Sequence, residues 1–309
     1  MPSLEKLDYG KWPNNHRLSN GRIELVVTAD VGPRIIRLGF VNGQNLFYED
    51  AQAMGKTGGD EWRLYGGHRL WHAPEDLVRT YVPDNFPVTV EAIPGGMRVT
   101  QPNESANGIQ KQMDITMNDG AARIRLVHRL TNTGPWPITV AVWALSVMAA
   151  GGTAIIPLPP RGEHPKDLLP TSQIAIWPYT SMADPRWTWG QRFILLRQTA
   201  APPQKIGVNV LDGWAAYALG GDLLVKRFTP VPGATYPDLN SNVEVFTNEV
   251  MLEVETLGPI TEIAPGQSVE QAEDWTVFDG VPAPNNDADV ERDVLALIEQ
   301  TRSKAVERM

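Results

Sequence analysis

The chain has no cysteine. That absence excludes a disulfide framework, a zinc–thiolate or iron–sulfur centre and a thiol nucleophile, and it leaves the redox compartment open. It has no excess of positive charge either. Its 27 Lys and Arg stand against 36 Asp and Glu, a net charge of −9 with an isoelectric point near 5.1. Such a chain lacks the electrostatic footprint of a general nucleic-acid binder and the polybasic signal of a membrane-surface protein, so neither partner is expected. Long hydrophobic runs are also missing. The longest mostly apolar stretch, Ile138 to Ala150, contains Thr139 and Ser146 and ends at Gly151-Gly152; it is too short to span a bilayer. No apolar leader follows Met1-Pro2-Ser3-Leu4-Glu5. As it stands the chain reads as cytoplasmic, or as periplasmic or secreted if a leader was removed.

What is present is turn-forming and aromatic. There are 27 Gly, 26 Pro and 10 Trp, and 42% of residues are hydrophobic, enough for a real core. A length of 309 residues allows two domains, but no linker separates them, and one domain over 1–309 is expected. Short runs with period-two alternation recur at 22–28, 34–40, 86–93, 96–100, 110–117 and 122–130, the mark of half-buried strands. Asn20-Gly21, Asn42-Gly43, Pro94-Gly95-Gly96 and Asn118-Asp119-Gly120 punctuate them as turns. The nearly all-apolar run 138–147 reads as a central strand covered on both faces. More strand-like runs follow to residue 278, and 287–308 carries Val290, Val294, Leu295, Leu297 and Ile298 at helical spacing. The fold class expected is all-β, two large and mostly antiparallel sheets packed face to face, with one C-terminal helix over about 287–308.

Three stretches resemble the galactose mutarotase-like (aldose 1-epimerase-like) β-supersandwich superfamily, and within it the DUF4380-type branch. They are Leu18-Ser19-Asn20-Gly21-Arg22-Ile23-Glu24 running on through Val31-Gly32-Pro33-Arg34; Tyr65-Gly66-Gly67-His68-Arg69-Leu70-Trp71-His72-Ala73-Pro74-Glu75; and Leu252-Glu253-Val254-Glu255-Thr256-Leu257-Gly258-Pro259 with Trp275 beyond it. The resemblance implies a cleft on the concave face of one sheet that takes a mono- or oligosaccharide. It implies acid–base catalysis without a cofactor: a Glu on a late strand as base at the anomeric hydroxyl, and histidine as acid.

Glu253 and Glu255 are two apart on a strand and so share a face with Met251 and Leu257. Adjacent carboxylates repel, and one is then held protonated toward neutral pH. A solvated acidic strand face is the alternative. Glu253 is the narrow choice for the base, with Glu255 beside it. His68, Arg69, Trp71, His72 and Glu75 form the densest polar-aromatic cluster, with His72 or His68 as proton donor, Arg69 as a forked donor and Trp71 as an apolar face for a pyranose. Trp143, Asn242, Glu244 and Arg34 are further substrate-binding candidates, and Tyr217, Lys226, Tyr236 and Asp238 are weaker ones. The irregular stretch 157–189, with Trp177, Trp187 and Trp189, is long enough to wall a cleft. His128, in an alternating strand, reads as a surface residue. His68 and His72 have a spacing seen in metal sites on helices, but Pro74 argues against a helix there, and no metal is expected.

One departure matters. Mutarotases carry Thr-Asn-His, then an aromatic residue and Asn-Leu. The comparable strand, Pro137 to Met148, offers Trp143, Ser146 and Met148 but no histidine. Another acid, such as His72 or Tyr81, is then required. Otherwise the protein binds a sugar without catalysis, or is a polysaccharide lyase or hydrolase that uses Arg69 with Tyr65 or Tyr81.

Overall fold

The structure, a computed structural model, describes residues 1–302. Among these residues the chain forms an 11-stranded and a 10-stranded antiparallel sheet, with three short helical segments. In spatial order the first sheet runs Ser3–Tyr9, Trp12–Ser19, Ile23–Thr28, Arg34–Phe40, Gly67–Ala73, Ile138–Met148, Leu252–Leu257, Val243–Thr247, Gln204–Val208 and Ile174–Ile176. Thr261–Ile263 pairs beside Ile138–Met148. The second runs Trp187–Trp189, Phe193–Arg197, Thr153–Pro157, Trp214–Leu219, Asp222–Phe228, Ser268–Phe278, Arg123–Asn132, Ile109–Met117, Gly96–Thr100 and Thr89–Ile93. This is the expected sandwich.

The main core lies between the sheets, where Val142, Leu70, Val254 and Ile206 meet Leu126, Ile115 and Trp275. Ile138–Met148 is covered on both faces, as its unbroken apolar run implies. Val140, Val142 and Met148 enter the main core, while Ala141, Trp143 and Leu145 join Trp71 and Leu257 in a smaller cluster on the other side of the same sheet. That smaller cluster is the floor of the cleft described below. Gly66 and Gly67 set the strand that carries the polar-aromatic motif. Both have positive φ, and a Cβ would lie 1.9 Å from the Tyr48 carbonyl oxygen at Gly66 and 2.3 Å from that of Ile35 at Gly67. Close approach of two backbones, rather than of a ligand, requires these glycines.

Three expectations need correction. The N-terminal hairpin Ser3–Tyr9 with Trp12–Ser19 was not among the expected strands; its outer strand is exposed and charged, as suits a sheet edge. The C-terminal helix is two short helices, Asp287–Asp293 and Leu295–Gln300, joined at Val294, which stays right-handed at φ −113° and ψ −42°. Val290, Val294 and Ile298 still form one stripe, buried on the outer face of the second sheet; 303–308 lie outside the described residues. His128 is not a surface residue. It is fully buried and inward-facing, in phase with Ile124, Leu126 and Leu130.

His128 joins a polar pair in the core. Its Nε2 lies 2.8 Å from His68 Nε2, and its Nδ1 lies 3.2 Å from the Gln271 carbonyl oxygen. His68 Nδ1 lies 2.9 Å from Ser146 Oγ. Donation from His128 Nδ1 to the carbonyl leaves its Nε2 as acceptor. His68 then donates through Nε2 and accepts the Ser146 hydroxyl at Nδ1, so one arrangement of neutral tautomers satisfies the whole chain.

Candidate functional site

Alternation in the Gly67–Ala73 strand decides which residues meet. Arg69 and Trp71 project from the outer face of the first sheet; His68, Leu70 and His72 project into the inter-sheet core. Register then brings four other strands to the same place. Trp143 pairs with Trp71 on one side and Leu257 on the other. Arg69 lies level with Leu145, Glu255 and Glu244. Glu253 lies level with Phe246 and Lys205. Residues separated by nearly two hundred positions therefore line one cleft of about 290 Å³.

Two linked ion-pair groups occupy it. In the first, Arg69 Nη2 donates to Glu253 Oε1 at 3.0 Å, while the guanidinium sits 4.4 Å from the centre of the Trp71 ring and 5.5 Å from that of Trp62. In the second, the Lys205 ammonium is 2.7 Å from Glu244 Oε2 and 3.1 Å from Glu255 Oε2, and Trp143 Nε1 donates to the same Glu255 oxygen at 2.8 Å. The rings of Trp143 and Trp177 each have their centre 4.9 Å from the ammonium. Burial pushes the Glu253 carboxyl up to about 7, with Glu255 adding to the shift and the Arg69 guanidinium opposing it. Burial also raises Glu244 well above the carboxylate range, with the Lys205 ammonium opposing the shift and Glu255 adding to it. Burial disfavours a charge on Lys205, but the two carboxylates outweigh it and keep the ammonium protonated.

The cleft walls are aromatic. Trp62, Trp71 and Tyr81 pack edge to face or tilted, with centroids 5.0 to 5.8 Å apart. At the rim the Tyr81 hydroxyl donates to Glu75 Oε1 at 2.5 Å. Tyr179 also lines the cleft.

The expected site residues divide accordingly. Glu253, Glu255, Glu244, Arg69, Trp71, Trp143 and Glu75 come together at or under the cleft. His68 and His72 do not; they are on the opposite face of their strand, behind the cleft floor. Burial, with Lys111 and Arg79 adding to it, lowers His72 to about 3, and burial lowers His68 well below the usual imidazole range. Neither is placed or charged to donate a proton in the cleft. Arg34 shares the outer face but lies beneath it, fully buried, donating to the Leu64 and Gly66 carbonyls and to Asp84. Asn242 is also removed: its amide bonds both the N–H and the carbonyl of Val210. Lys226 lies in the core beside Glu273, and the Tyr217 hydroxyl bonds the backbone at Ala149 and Gly152. Of the three tryptophans in the long loop, Trp177 packs over the Lys205 ammonium without itself lining the cleft, whereas Trp187 and Trp189 stack on each other at the edge of the second sheet.

Sequence reasoning missed Lys205, Trp62 and Tyr179. The alternation of Lys205 and Gly207 with the core residues Ile206 and Val208 does mark the lysine as facing away from the core. Nothing local shows that two buried glutamates await it. Among the described residues no three His, Asp or Glu side chains converge as metal ligands, and no helix is long and apolar enough to cross a membrane.

With the geometry in hand, comparison with known proteins becomes informative. No family model matches the chain, and no curated protein matches it by sequence. Solved structures do. A galactose mutarotase-like protein from Lactobacillus casei aligns over 89% of this chain and all of its own, at 10% identity and a TM-score of 0.54. A galactose mutarotase related enzyme from Lactobacillus acidophilus aligns over 88% of this chain and 99% of its own, at 9% identity and 0.54. A TPR-domain containing protein from Parabacteroides distasonis aligns over 92% of this chain but 54% of its own, at 13% identity and 0.59. The fold is that of galactose mutarotase-like proteins. At such identities the likeness carries the fold alone, and nothing in the comparisons supports the narrower DUF4380-type branch.

Proposed function

We propose that the cleft binds a neutral monosaccharide, or the end of an oligosaccharide, and that Glu253 transfers a proton at its anomeric centre. The observation that carries this reading is the Glu253 carboxyl, held near 7 at the mouth of an aromatic-walled cleft and oriented by Arg69. A group with that affinity exchanges its proton readily at neutral pH. In the step proposed, Glu253 as carboxylate takes the proton of the anomeric hydroxyl. The ring oxygen takes a proton from the Tyr81–Glu75 pair or from water. The C1–O5 bond breaks to the open-chain aldehyde, which recloses on either face as the protons return. The excess of carboxylates over cations, with Arg69 already paired, disfavours a uronate and so the lyase reading.

NMR exchange spectroscopy on a panel of aldoses tests the proposal. The wild-type protein should speed anomer interconversion, and Glu253→Gln should lose roughly 10²–10⁴-fold of that acceleration. The non-catalytic binding reading has one observation in its favour, the lack of an imidazole in the cleft among the described residues. It predicts saturable sugar binding with no acceleration for any aldose, and that outcome would remove the catalytic proposal.

A further inference from the structure

The turn that joins Val243–Thr247 to Leu252–Leu257 brings one more polar side chain to the cleft. Alternation along the first of these strands sends Val243 and Val245 into the core and Glu244 and Phe246 to the cleft side. Asn248 continues the second set and lines the cleft, half-buried, two residues beyond Phe246. Its orientation is fixed. Asn248 Oδ1 accepts from the Val250 N–H at 2.9 Å and from the Met251 N–H at 3.1 Å, while the Asn248 N–H donates to the Met251 carbonyl at 3.1 Å. Gln198 Nε2 donates to the Asn248 carbonyl, also at 3.1 Å. A flipped amide would set its own hydrogens against two N–H donors, so Nδ2 keeps its place. That nitrogen is accessible and has no hydrogen-bond partner among the described residues.

Other donors of the cleft are engaged. Arg69 is paired with Glu253, Lys205 with Glu244 and Glu255, and the Tyr81 hydroxyl with Glu75. Turning any of these to a ligand disturbs a contact already made, whereas turning Asn248 Nδ2 to one disturbs none. Register sets its role. Glu253 stands opposite Phe246, so Asn248 is its diagonal neighbour, and the α-carbons of such neighbours lie about 7–8 Å apart. One hydroxyl group does not span that gap, but two edges of one sugar ring do. We infer that Asn248 is a specificity-determining residue of the cleft: its Nδ2 donates to a ring hydroxyl oxygen other than the anomeric one, and so selects which hydroxyl a sugar must carry while Glu253 faces the anomeric centre. The inference rests on the reading of the cleft as a sugar site. The contact is made alike before and during ring opening, so it governs affinity rather than turnover.

The test titrates the full chain with a panel of aldoses, glucose, galactose and mannose among them, and with the monodeoxy analogues of the one bound best. NMR titration reads Kd, and anomer exchange at saturating sugar reads kcat. Asn248→Ser keeps a hydroxyl for the turn N–H but loses the amide donor. It should raise Kd about three- to tenfold, the worth of one neutral hydrogen bond, and leave kcat within about twofold. One deoxy analogue should lose a similar factor with the wild type and nothing further with Asn248→Ser, since both changes delete the same contact. The inference is overturned if Asn248→Ser leaves Kd unchanged, if kcat falls while Kd holds, or if its loss and that of every deoxygenation simply add. It is overturned as well if no deoxygenation away from the anomeric carbon weakens binding to the wild type, a readout that needs no variant. Beside a wild type that binds a sugar, each of these results leaves the cleft proposal standing. A wild type that binds none of the panel removes that proposal and this inference together.

Discussion

Replacing Lys205 by Met removes the one cation between two carboxylates that have no exposed surface. Met keeps the length and the apolar stem, so packing changes little while the charge is lost. Breaking a buried ion pair from one side typically costs about 3–5 kcal/mol. Protonation sets an upper limit on that cost. Neutralising a carboxyl of solution pKa near 4.3 costs about 5 kcal/mol at pH 8 and about 2 kcal/mol at pH 6, since each unit is worth about 1.4 kcal/mol. The variant should therefore lose about 3–5 kcal/mol at pH 8, and the loss should shrink by roughly 1.4 kcal/mol per pH unit on acidification. The sign follows from linkage: a carboxyl raised in the folded state binds more protons folded than unfolded, so stability grows as pH falls toward its unfolded value. Urea midpoints and slopes at pH 8, 7 and 6 measure this directly. The double variant Lys205→Met/Glu255→Gln should recover much of the loss at pH 8. A loss under about 1 kcal/mol, or one equal at pH 6 and pH 8, would refute the charge argument.

Other consequences are open to the same kind of check. Arg69→Met removes the guanidinium that opposes the rise of Glu253; its carboxyl, followed by carbon-13 NMR, should titrate at higher pH than in the wild type, and an unchanged midpoint would disprove the pairing. His128, neutral and buried, has a depressed affinity for protons, so its contribution is complete above the unfolded value near 6.5 and is lost as pH falls below it. His128→Asn should flatten the decline of unfolding free energy between pH 6 and 4.5 by up to about 1.4 kcal/mol per pH unit; a slope as steep as the wild type's would contradict it. Gly66→Ala should prevent folding or cost more than about 3 kcal/mol, since backbone clash adds to positive φ, whereas Gly95→Ala, with open space around it, should cost only about 1 kcal/mol. Equal thermal shifts for the two would show that clash is not the cause.

The legible part of this protein is periodic. Alternation in Leu252–Leu257 placed Glu253 and Glu255 on one face with Leu257, and they are there. The same rule, applied to Gly67–Ala73, already separates Arg69 and Trp71 from His68 and His72, and applied to Arg123–Asn132 it turns His128 inward. Reading the polar-aromatic motif as a single cluster overrode that rule, and the imidazoles fell on the wrong side of the sheet. Asn242 and Arg34 were misjudged for another reason: their side chains bond to backbone groups from other segments, and no spacing reveals such partners.

By itself, the sequence determined that the chain would be an all-β sandwich free of thiol chemistry, because turn residues and period-two patterning are local and cysteine is absent. It also determined which side chains share a face within each strand. Only the tertiary structure decided which strands lie side by side. That choice put Lys205 between Glu244 and Glu255 and Arg69 against Glu253, all of them largely buried. Proton affinity depends on burial and on the nearest charges, and both are properties of neighbours that sequence separation does not encode. The cleft with its carboxyl near 7 is therefore a product of strand order, assembled from residues that lie far apart in the chain.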